Sequence, residues 1–513
     1  MKRYIFFLMV ILTSPVTVMA QGYYGSDSIV NFSQRHKINA LALKSTALRD
    51  SSQKYYGVAN LEHQFRTGSL RRAQGAYSTN TSSFYTEGYH TIGKFWIAGS
   101  FLFNKTVEDS LANALKRDDD DISPYYYFAS KSGPYERQNY KLNALIDYSL
   151  IPEKLNIGTL INYETHWTTG SVDPRPSVED FKLKLSPQLN YQVNNRNNIG
   201  LGIHWGYGYE ETSISFKNRE FLQSLAYPDR IHYINQGYGY ISIKDSTSLR
   251  RFKDYSGIIA SYQYRNNRFS AKVYGNYTQK VENNTHDVKS RKTYHVRERF
   301  TLDEFDIKVL LTKESDTYTQ QLDVNALKRN GSDWNAAFKK SNYSAKDDSY
   351  HVNYSLLWNI GEPVKHQADI GFNYESSLRE DAVSSHHLYA EGIQPEIKYT
   401  FYHQNANNDF WIASITGLYK KPLNTEVSVP ATQVNVFSRG IMFPDYYYYS
   451  SNILGLKNEL NYISSNLIKN YKIGFSLNTE LYSKTNTATA LYDAQFIPKG
   501  SRFSIVGRIS IYL

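Results

Sequence analysis

The sequence predicts an all-β fold, a transmembrane antiparallel β-barrel of about 14–18 strands with 18 as the best count. Three observations lead to this prediction. Apolar and polar residues alternate along segments of about 10–14 residues, as in strands with one wet face. The connections between these segments are alternately short and long, and a secretory leader precedes them. The negative mean hydropathy is compatible with a barrel, because only alternate strand residues face lipid.

Residues 1–20 have the features of a secretory signal peptide. Lys2 and Arg3 form a positive amino-terminal region, the stretch 4–12 is apolar, and Ala20 is a small residue at the cleavage position. A membrane-anchoring helix is the alternative, but it needs about 18 apolar residues or more. We therefore expect the protein to be exported and then to be either a soluble protein or a barrel in the outer membrane.

The mature chain is predicted to contain one domain. No composition break, Pro/Ser-rich linker or charge block divides residues 54–513, so this range is assigned to the barrel. Residues 21–53 are assigned to an amino-terminal periplasmic segment that acts as a short plug or hatch.

The clearest strand pattern places Ile473, Phe475, Leu477 and Leu481 on one face, with polar residues between them. This period of two is the pattern of a half-buried strand. The same alternation is found in three further segments, 140–148, 269–277 and 352–360. In the final strand, 501–513, Ile505 and Ile509 share a face and an aromatic residue stands near the end.

The connections indicate the strand number. Eight short polar turns occur at 93–94, 151–154, 194–196, 266–267, 313–315, 361–365, 404–409 and 464–470. Long polar stretches lie between them, at 108–138, 168–178, 214–253, 281–292, 330–347, 378–385 and 422–449. Eight short turns join sixteen strands, and strands at 54–65 and 501–513 complete eighteen. Short turns on one side and long loops on the other are typical of outer-membrane barrels.

A soluble β-propeller or β-sandwich is the alternative architecture. A propeller would show a blade repeat of about 40–50 residues, and none is found. Strands of a sandwich are usually only about 5–6 residues long. Trp96, Trp167, Trp205 and Trp411 lie near predicted strand ends, where the aromatic girdle of a membrane protein is expected.

Two short segments carry a family resemblance. Asn39–Leu43 resembles the segment that opens fatty-acid-transporter-like barrels, where it forms part of an amino-terminal hatch. Asp173–Pro176, together with the Tyr-rich strands, resembles an outer-membrane β-barrel family of unknown function found in Bacteroidota. The resemblance implies residence in the outer membrane of a Gram-negative bacterium. It also implies partnership with a TonB-dependent receptor or a surface lipoprotein.

The sequence assigns no catalytic residue, metal site or cofactor. The chain has no Cys, which excludes disulfides, thiolate metal sites and Cys nucleophiles. Phosphate-binding Gly-rich loops, His-Glu-x-x-His helices and Gly-x-Ser-x-Gly elbows are also absent. His386, His387 and Glu391 are residue types that can bind a metal. However, His386 and His387 are adjacent, and adjacent strand residues point to opposite faces, so we do not expect them to converge on one ion. The carboxylate run Asp118–Asp121 lacks the EF-hand pattern and is interpreted as a hydrated loop.

Two aromatic blocks lie in predicted outer loops, Tyr125–Phe128 and Tyr446–Tyr449. Tyrosine offers a rigid ring with a polar tip, so these blocks are candidates for stacking against a sugar or an extended peptide. The candidate ligand-binding residues are Tyr125, Tyr126, Tyr127, Tyr446, Tyr447 and Tyr448. The alternative is that the blocks anchor the protein at the interface or pack a loop over the mouth.

The charge balance is basic. With 58 Lys+Arg and 48 Asp+Glu the formal net charge is +10, and it becomes +8 once Lys2 and Arg3 leave with the leader. This charge suits contact with outer-membrane lipid and lipopolysaccharide, or a lumen that prefers anions. Nucleic-acid binding is not expected, because the basic residues are dispersed along the strands rather than clustered.

The first functional hypothesis is a passive channel or transport component for small solutes, associated with nutrient uptake. The second is a non-transporting surface scaffold that binds a partner, and the third is an outer-membrane hydrolase. A conducting pore predicts an open lumen lined with charged residues. A scaffold predicts a lumen filled by residues 21–53 or by a folded-in loop, and a hydrolase predicts a His beside Ser or Asp at the outer rim.

Overall fold

The computed structural model describes residues 37, 40–49, 55–117, 122–243, 248–286, 295–468, 471–486 and 491–512. The predicted signal peptide and Asp118–Asp121 lie outside the described residues. In chain order the strands are β1 (Tyr55–Gly68), β2 (Ser78–Ile92), β3 (Phe95–Leu111), β4 (Tyr125–Phe128), β5 (Gly133–Ile151), β6 (Leu155–Gly170), β7 (Arg175–Asn194), β8 (Asn197–Ser215), β9 (Tyr233–Gln236), β10 (Ile241–Ser242), β11 (Ser248–Arg265), β12 (Phe269–Thr285), β13 (Glu298–Glu314), β14 (Tyr318–Asn335), β15 (Tyr343–Trp358), β16 (Val364–Asp381), β17 (His386–Gln404), β18 (Phe410–Ser428), β19 (Ile453–Ile468), β20 (Tyr471–Lys484) and β21 (Ser501–Tyr512).

Eighteen of these strands form one closed antiparallel sheet. Each pairs with the next along the chain, and β1 also pairs with β21, from Val58 opposite Tyr512 to Gly68 opposite Arg502. This pairing removes the two edges that an open sheet would have. The predicted transmembrane β-barrel architecture, with 18 as the best strand count, is confirmed. The three short strands β4, β9 and β10 form a separate small sheet.

The short and long connections lie at opposite ends of the barrel, as predicted. All eight predicted short turns join neighbouring strands at the end where β1 begins and β21 ends. Two long connections, 69–77 and 485–500, were not predicted. The first was missed because β2 begins Ser-Thr-Asn-Thr-Ser-Ser, a polar run in which the alternation of a strand is hidden.

The outward face of the barrel is apolar. Adjacent residues Ile258 and Ile259 show the alternation, since their side chains are 59% and 4% exposed. On β8, Leu201, Ile203 and Trp205 are all exposed at every second position. A soluble protein would bury such a face, whereas a barrel in a bilayer presents it to lipid. The faces that the sequence predicted for 269–277, 352–360 and the final strand point outward in the same way.

Residues 40–49, which precede β1, lie against the inner wall. Leu41 and Leu48 pack with Ile259, Tyr274 and Leu310, which belong to β11, β12 and β13. Because these positions alternate with the outward-facing apolar residues, the segment occupies the lumen. The role of the whole range 21–53 as a hatch stays a prediction.

Polar contacts also connect this segment to the barrel. The Thr46 hydroxyl donates to Asp147 Oδ1 at 3.0 Å, and Lys272 Nζ donates to the carbonyl oxygen of Leu48 at 2.6 Å. A salt bridge of 3.1 Å links Lys44 and Asp306. These bonds satisfy buried polar groups that lipid or an apolar core could not satisfy.

Helices are few and short. Four 3₁₀ segments (Thr46–Leu48, Arg219–Phe221, Pro228–Arg230, Ala431–Gln433), one π-helical turn (Ser438–Met442) and one α-helix (Phe443–Tyr449) are described. None of the helices in the described ranges is long and apolar enough to cross a bilayer. The last two follow each other directly in the β18–β19 connection, and this pair is called the loop helix.

The outward assignment of Ile258 can be tested by placing a charge there. Ile258→Arg should destabilise the folded barrel by about 2–4 kcal/mol, because the residue lies near the middle of β11 and would place a guanidinium in hydrocarbon. Denaturant titration of tryptophan fluorescence in phospholipid vesicles measures this change. The control Ile258→Val should cost less, and equal effects of the two substitutions would contradict a lipid-facing position.

Candidate functional site

The small sheet lies inside the barrel at the long-loop end. It is built from the β3–β5 connection, which contributes β4, and from the β8–β11 connection, which contributes β9 and β10. β4 pairs with β9 from Tyr125 opposite Gln236 to Phe128 opposite Tyr233. All four β4 residues are buried, although they come from a loop. The sheet and the loop helix together are called the plug.

Polar side chains of the barrel wall hold the plug. The guanidinium of Arg251 on β11 donates to the carbonyl oxygen of Tyr125. The Tyr125 hydroxyl donates to Asp333 on β14 at 2.5 Å, and the amide of Gln236 donates to Glu298 on β13 at 3.1 Å. Contacts to three different strands show that the sheet lies within the barrel. Burial and the nearby Asp333 carboxylate raise the pKa of Tyr125, so its hydroxyl remains a donor.

Asp381 at the end of β16 fixes the turn between β9 and β10. Its Oδ2 atom accepts the backbone N–H groups of Tyr238 and Tyr240 at 2.7 and 2.8 Å. Between these residues, Gly239 has φ of +130°, and a Cβ at this position would overlap the ring of His386. His386 in turn places Nδ1 3.1 Å from the carbonyl oxygen of Tyr238. This part of the wall is therefore shaped to fit the plug.

Aromatic rings join the small sheet to the loop helix. Phe128 stacks on Tyr233 at 5.5 Å and meets Phe437, the residue directly before the loop helix, edge-on at 5.6 Å between ring centroids. Phe437 also contacts Tyr238 at 5.3 Å. Offset and edge-on pairs of this kind add stability beyond the burial of area. The plug is consequently one packed body made of three separate loops.

The first block of predicted ligand-binding residues lies inside the plug. Tyr125 and Tyr127 are 0% exposed, and Tyr126 is 6% exposed. Tyr127 donates its hydroxyl to the carbonyl oxygen of Ser248, while the Tyr126 hydroxyl accepts from the Gln74 amide. This placement corresponds to the alternative in which a loop packs over the mouth. Ligand binding by these three residues stays a prediction.

The second block divides by position. Tyr447 is buried, and its hydroxyl accepts the N–H groups of Leu491 and Tyr492 at 2.8 and 2.7 Å. Tyr446 meets the ring of Tyr492 edge-on. Tyr448, by contrast, borders empty space in the lumen. Of the six candidate tyrosines, Tyr448 lines the two cavities described next.

That cavity lies between the loop helix and the wall formed by β14–β18, and its volume is about 540 Å³. Arg329, Asp347, Arg379, Lys420 and Tyr448 are among its lining residues. The lining is mainly polar, unlike the outward face of the same strands. Charged side chains in a confined space produce a stronger field than the same charges in open water.

A second cavity of about 360 Å³ adjoins the first. The two share Glu375, Lys420 and Tyr448 as lining residues, and the second extends to Arg66 on β1 and Arg502 on β21. Because the lining is shared, the two are treated as one space, called the chamber. The chamber therefore reaches across the seam where the barrel closes.

A third cavity, of about 310 Å³, continues from the chamber along the same wall. On β16 the third cavity is lined as far as Gly371, and the chamber is lined from Asn373 onward. On β15 the third cavity is lined by His351, and the chamber is lined by Ser349. Inward positions recur at every second residue, so no inward side chain separates the two linings. Polar space thus extends along one side of the lumen, toward the end with the short turns.

Another part of the barrel wall carries a buried ion-pair network. Lys253 Nζ on β11 lies 2.6 Å from Asp180 and 2.7 Å from Glu210, and all three side chains are at most 6% exposed. Arg117, from the β3–β5 connection, pairs with Asp180 at 2.8 Å and also with Glu164. Four strands (β6, β7, β8 and β11) and one loop are therefore connected through charges that have little access to water.

Asp173 holds together two of the outer connections. Its carboxylate accepts the N–H groups of Lys217 and Asn218 at 2.9–3.0 Å and the guanidinium of Arg175 at 2.7 Å. Burial alone would raise the pKa of Asp173, but the two backbone donors and Arg175 outweigh it and hold the pKa below its usual value. Arg175 and Asp173 therefore also form an ion pair.

The histidine pair does not form a metal site. His386 points into the barrel toward the plug, whereas His387 Nδ1 lies 3.5 Å from Glu380 on the other face. Glu391 instead accepts the hydroxyls of Tyr374 and Tyr389. Within the described ranges no group of three or more His, Asp or Glu side chains is arranged to hold a metal ion.

Sequence reasoning missed the residues that anchor the plug and line the chamber. Arg251, Asp333 and Asp381 lie on three different strands, far apart in sequence. Each sits at the polar position of an alternating strand, so the pattern indicates an inward side chain. It does not indicate which inward side chains meet, because that depends on loops that fold back into the lumen.

A closed 18-strand barrel with an apolar outward face and a polar, plugged interior is a large outer-membrane-type β-barrel. The chain belongs to a family of unknown function, DUF6850, whose profile matches residues 45–513. The resemblance to an outer-membrane family of unknown function is confirmed at that level. A source in Bacteroidota and a fatty-acid-transporter-like hatch stay predictions.

Several solved barrels are similar to this one in shape. FpvA of P. aeruginosa, solved with heterologous pyoverdines, is 9% identical, with 89% of this chain and 71% of that chain covered and a TM-score of 0.40. The FrpB iron transporter of Neisseria meningitidis is 8% identical, with coverage of 91% and 83% and a TM-score of 0.41. The copper transporter OprC is 7% identical, with coverage of 91% and 82% and a TM-score of 0.41. No curated protein matches the sequence significantly.

Removing the central cation of the ion-pair network should be costly. Lys253→Met leaves Asp180 and Glu210 buried with less compensation, and we expect a loss of about 3–5 kcal/mol in unfolding free energy. The control Lys131→Met breaks an exposed pair with Asp229 and should cost about 0–1 kcal/mol. Denaturant titration in vesicles compares the two, and equal losses would argue against a structural role of the network.

The Asp173 contacts should depend on pH. Because the folded pKa lies below the unfolded value of about 3.9, their stabilisation is present above that value and is lost as the pH falls through the folded pKa. Hydrogen exchange should therefore show protection factors for the Lys217 and Asn218 amides that fall in strong acid. Asp173→Asn should lower them at pH values above the folded pKa of Asp173, and Asp229→Asn should leave them unchanged.

Proposed function

We propose that this protein is a gated passive channel, or transport component, for small solutes in the outer membrane of a Gram-negative bacterium, associated with nutrient uptake. The observation that carries the proposal is the series of adjoining polar cavities along one wall of the lumen. A barrel built only as a scaffold has no need for connected polar space beneath a plug. Membrane lipid and lipopolysaccharide are the proposed surroundings of its outward face.

The plug is the proposed gate. It is held by a limited number of hydrogen bonds to the wall, including those of Asp333 and Asp381, and by the contact of Asp445 Oδ1 with the N–H of Ala73 at 2.7 Å. The loop helix covers the chamber from the long-loop side, since Tyr448 and Tyr449 belong to its lining. Displacing the loop helix would connect the chamber to the outside without breaking any strand pair.

A second candidate function is a partner-binding scaffold, working with a TonB-dependent receptor or a surface lipoprotein. The observation in its favour is the folded-in plug, which the sequence hypotheses associated with a non-conducting barrel. Three long connections contribute to the plug and pack together in one hydrophobic cluster, which suits a fixed body that a partner could bind. The two functions differ in what happens when the plug is removed.

Single-channel recording in planar bilayers tests the channel. The chain from Gln21 onward should be silent or open rarely. A variant in which residues 430–451 are replaced by a short Gly-Ser linker should conduct in stable steps, because the cover of the chamber is gone. A variant lacking residues 21–50 reports whether the amino-terminal segment closes the other end.

The matched control replaces residues 219–227, which are mostly exposed and lie outside the plug, with a nine-residue Gly-Ser linker. It should behave like the unmodified chain. Steady conductance from the unmodified chain would contradict gating. If no variant conducts, although circular dichroism and heat modifiability confirm folded barrels, the channel hypothesis is contradicted and the scaffold is favoured.

A further inference from the structure

The charges of the chamber are unequal in number. Six cationic side chains line it from inward strand positions and the β1–β2 loop: Arg66, Arg72, Arg329, Arg379, Lys420 and Arg502. Three carboxylates face the same space: Asp347, Glu375 and Glu480. Two further carboxylates at its edge, Asp348 and Glu391, occupy outward positions on their strands. Positive charge is therefore in excess inside the chamber.

One carboxylate serves two guanidinium groups. Asp347 accepts Arg379 through two bonds of 2.7 and 3.0 Å, and Arg329 approaches the same carboxylate at 3.2 Å. The trio therefore keeps a net positive charge. Arg379 also donates to the carbonyl oxygens of Leu378 and Lys346. A guanidinium has five N–H donors in a planar fork, so Arg329, whose Nε has no partner among the described residues, retains donors for a further anion.

Lys420 occupies a different environment. Its ammonium lies over the rings of Tyr448 and Tyr449, at 5.1 and 5.6 Å from the centroids. Within the described part of the chain, no carboxylate lies within 4.0 Å of this ammonium. Aromatic faces stabilise a cation and cancel none of its charge. Tyr448 and Tyr449 of the loop helix thus hold the positively charged Lys420 side chain of β18 at the edge of the chamber.

From this arrangement we propose that the chamber is a binding site for small organic anions that carry two or more carboxylates. Arg329 and Lys420 reach the anion from two sides of the cavity, and a guanidinium recognises a carboxylate through paired hydrogen bonds. The volume of about 540 Å³ admits a small polycarboxylate with part of its hydration water. The inference rests on the proposed function and names its solute class.

Isothermal titration calorimetry with citrate tests the inference. The chain from Gln21 onward, in a non-ionic detergent, is titrated with citrate, with the neutral solute sucrose and with the cation spermidine. We expect saturable binding of citrate alone, weakened as NaCl is raised, because salt screens the attraction. Asp445→Ala, which loosens the loop helix from Ala73 and lies outside the chamber lining, is titrated in parallel to give the anion easier entry.

Charge removal locates the site. Arg329→Gln/Lys420→Gln should weaken citrate binding by about tenfold or more, because two charged donors are lost. Asp347 keeps its two bonds to Arg379 in this variant, so the wall should stay folded. Lys131→Gln removes the same kind of charge from an exposed loop and should leave the affinity unchanged.

The possible results separate the inference from the proposed function. Citrate binding that depends on Arg329 and Lys420 supports the anion site, even if every variant is silent in bilayers. Absence of citrate binding in both the unmodified chain and Asp445→Ala overturns the anion site, whatever the conductance. Binding that is equally strong in Arg329→Gln/Lys420→Gln also overturns it, because the charges assigned to the chamber would then be irrelevant.

Discussion

The pairing of every barrel strand with two neighbours is the constraint on which this structure depends. In hydrocarbon no water is present to bond exposed N–H and C=O groups, so a spanning sheet must close upon itself. The contact between β1 and β21 provides that closure over most of the length of both strands. Once the sheet is closed, alternation sends one set of side chains to lipid and the other into the lumen. The apolar outside and the polar inside are two results of the same geometry.

The closed wall creates an interior that must satisfy its own polar groups. On one side this is achieved by charge pairing, with Lys253 between Asp180 and Glu210 and the amino-terminal segment bonded to Asp147 and Lys272. On the other side the wall keeps its polar groups beside open cavities. The lumen is therefore asymmetric, and the asymmetry determines where a solute has room.

The plug consists of loop residues that fold back into the interior of the barrel. Three connections bring β4, the β9–β10 turn and the loop helix together, although no two of them are adjacent in sequence. Their aromatic rings pack on one another, while Asp333, Asp381 and Arg251 bind their backbone and hydroxyl groups. The plug can be stably packed and still move out of the lumen as one unit, because none of its residues belongs to a strand pair of the barrel. The plug is therefore compatible with both proposed functions, as the gate of a channel and as the fixed binding surface of a scaffold.

The sequence by itself predicted the barrel, a range of 14–18 strands with eighteen as the best count, and the faces of the five segments with the clearest alternation. It could do so because lipid exposure imposes a period of two and because short polar turns are local signals. It also pointed to Tyr448, but only as one of six tyrosines with the same apparent role. The tertiary structure alone decided that Tyr125 and Tyr127 are buried, and that Arg329, Lys420 and Tyr448 surround one cavity. The physical reason is that alternation fixes the direction of a side chain, whereas its partners depend on how distant loops fold into the lumen.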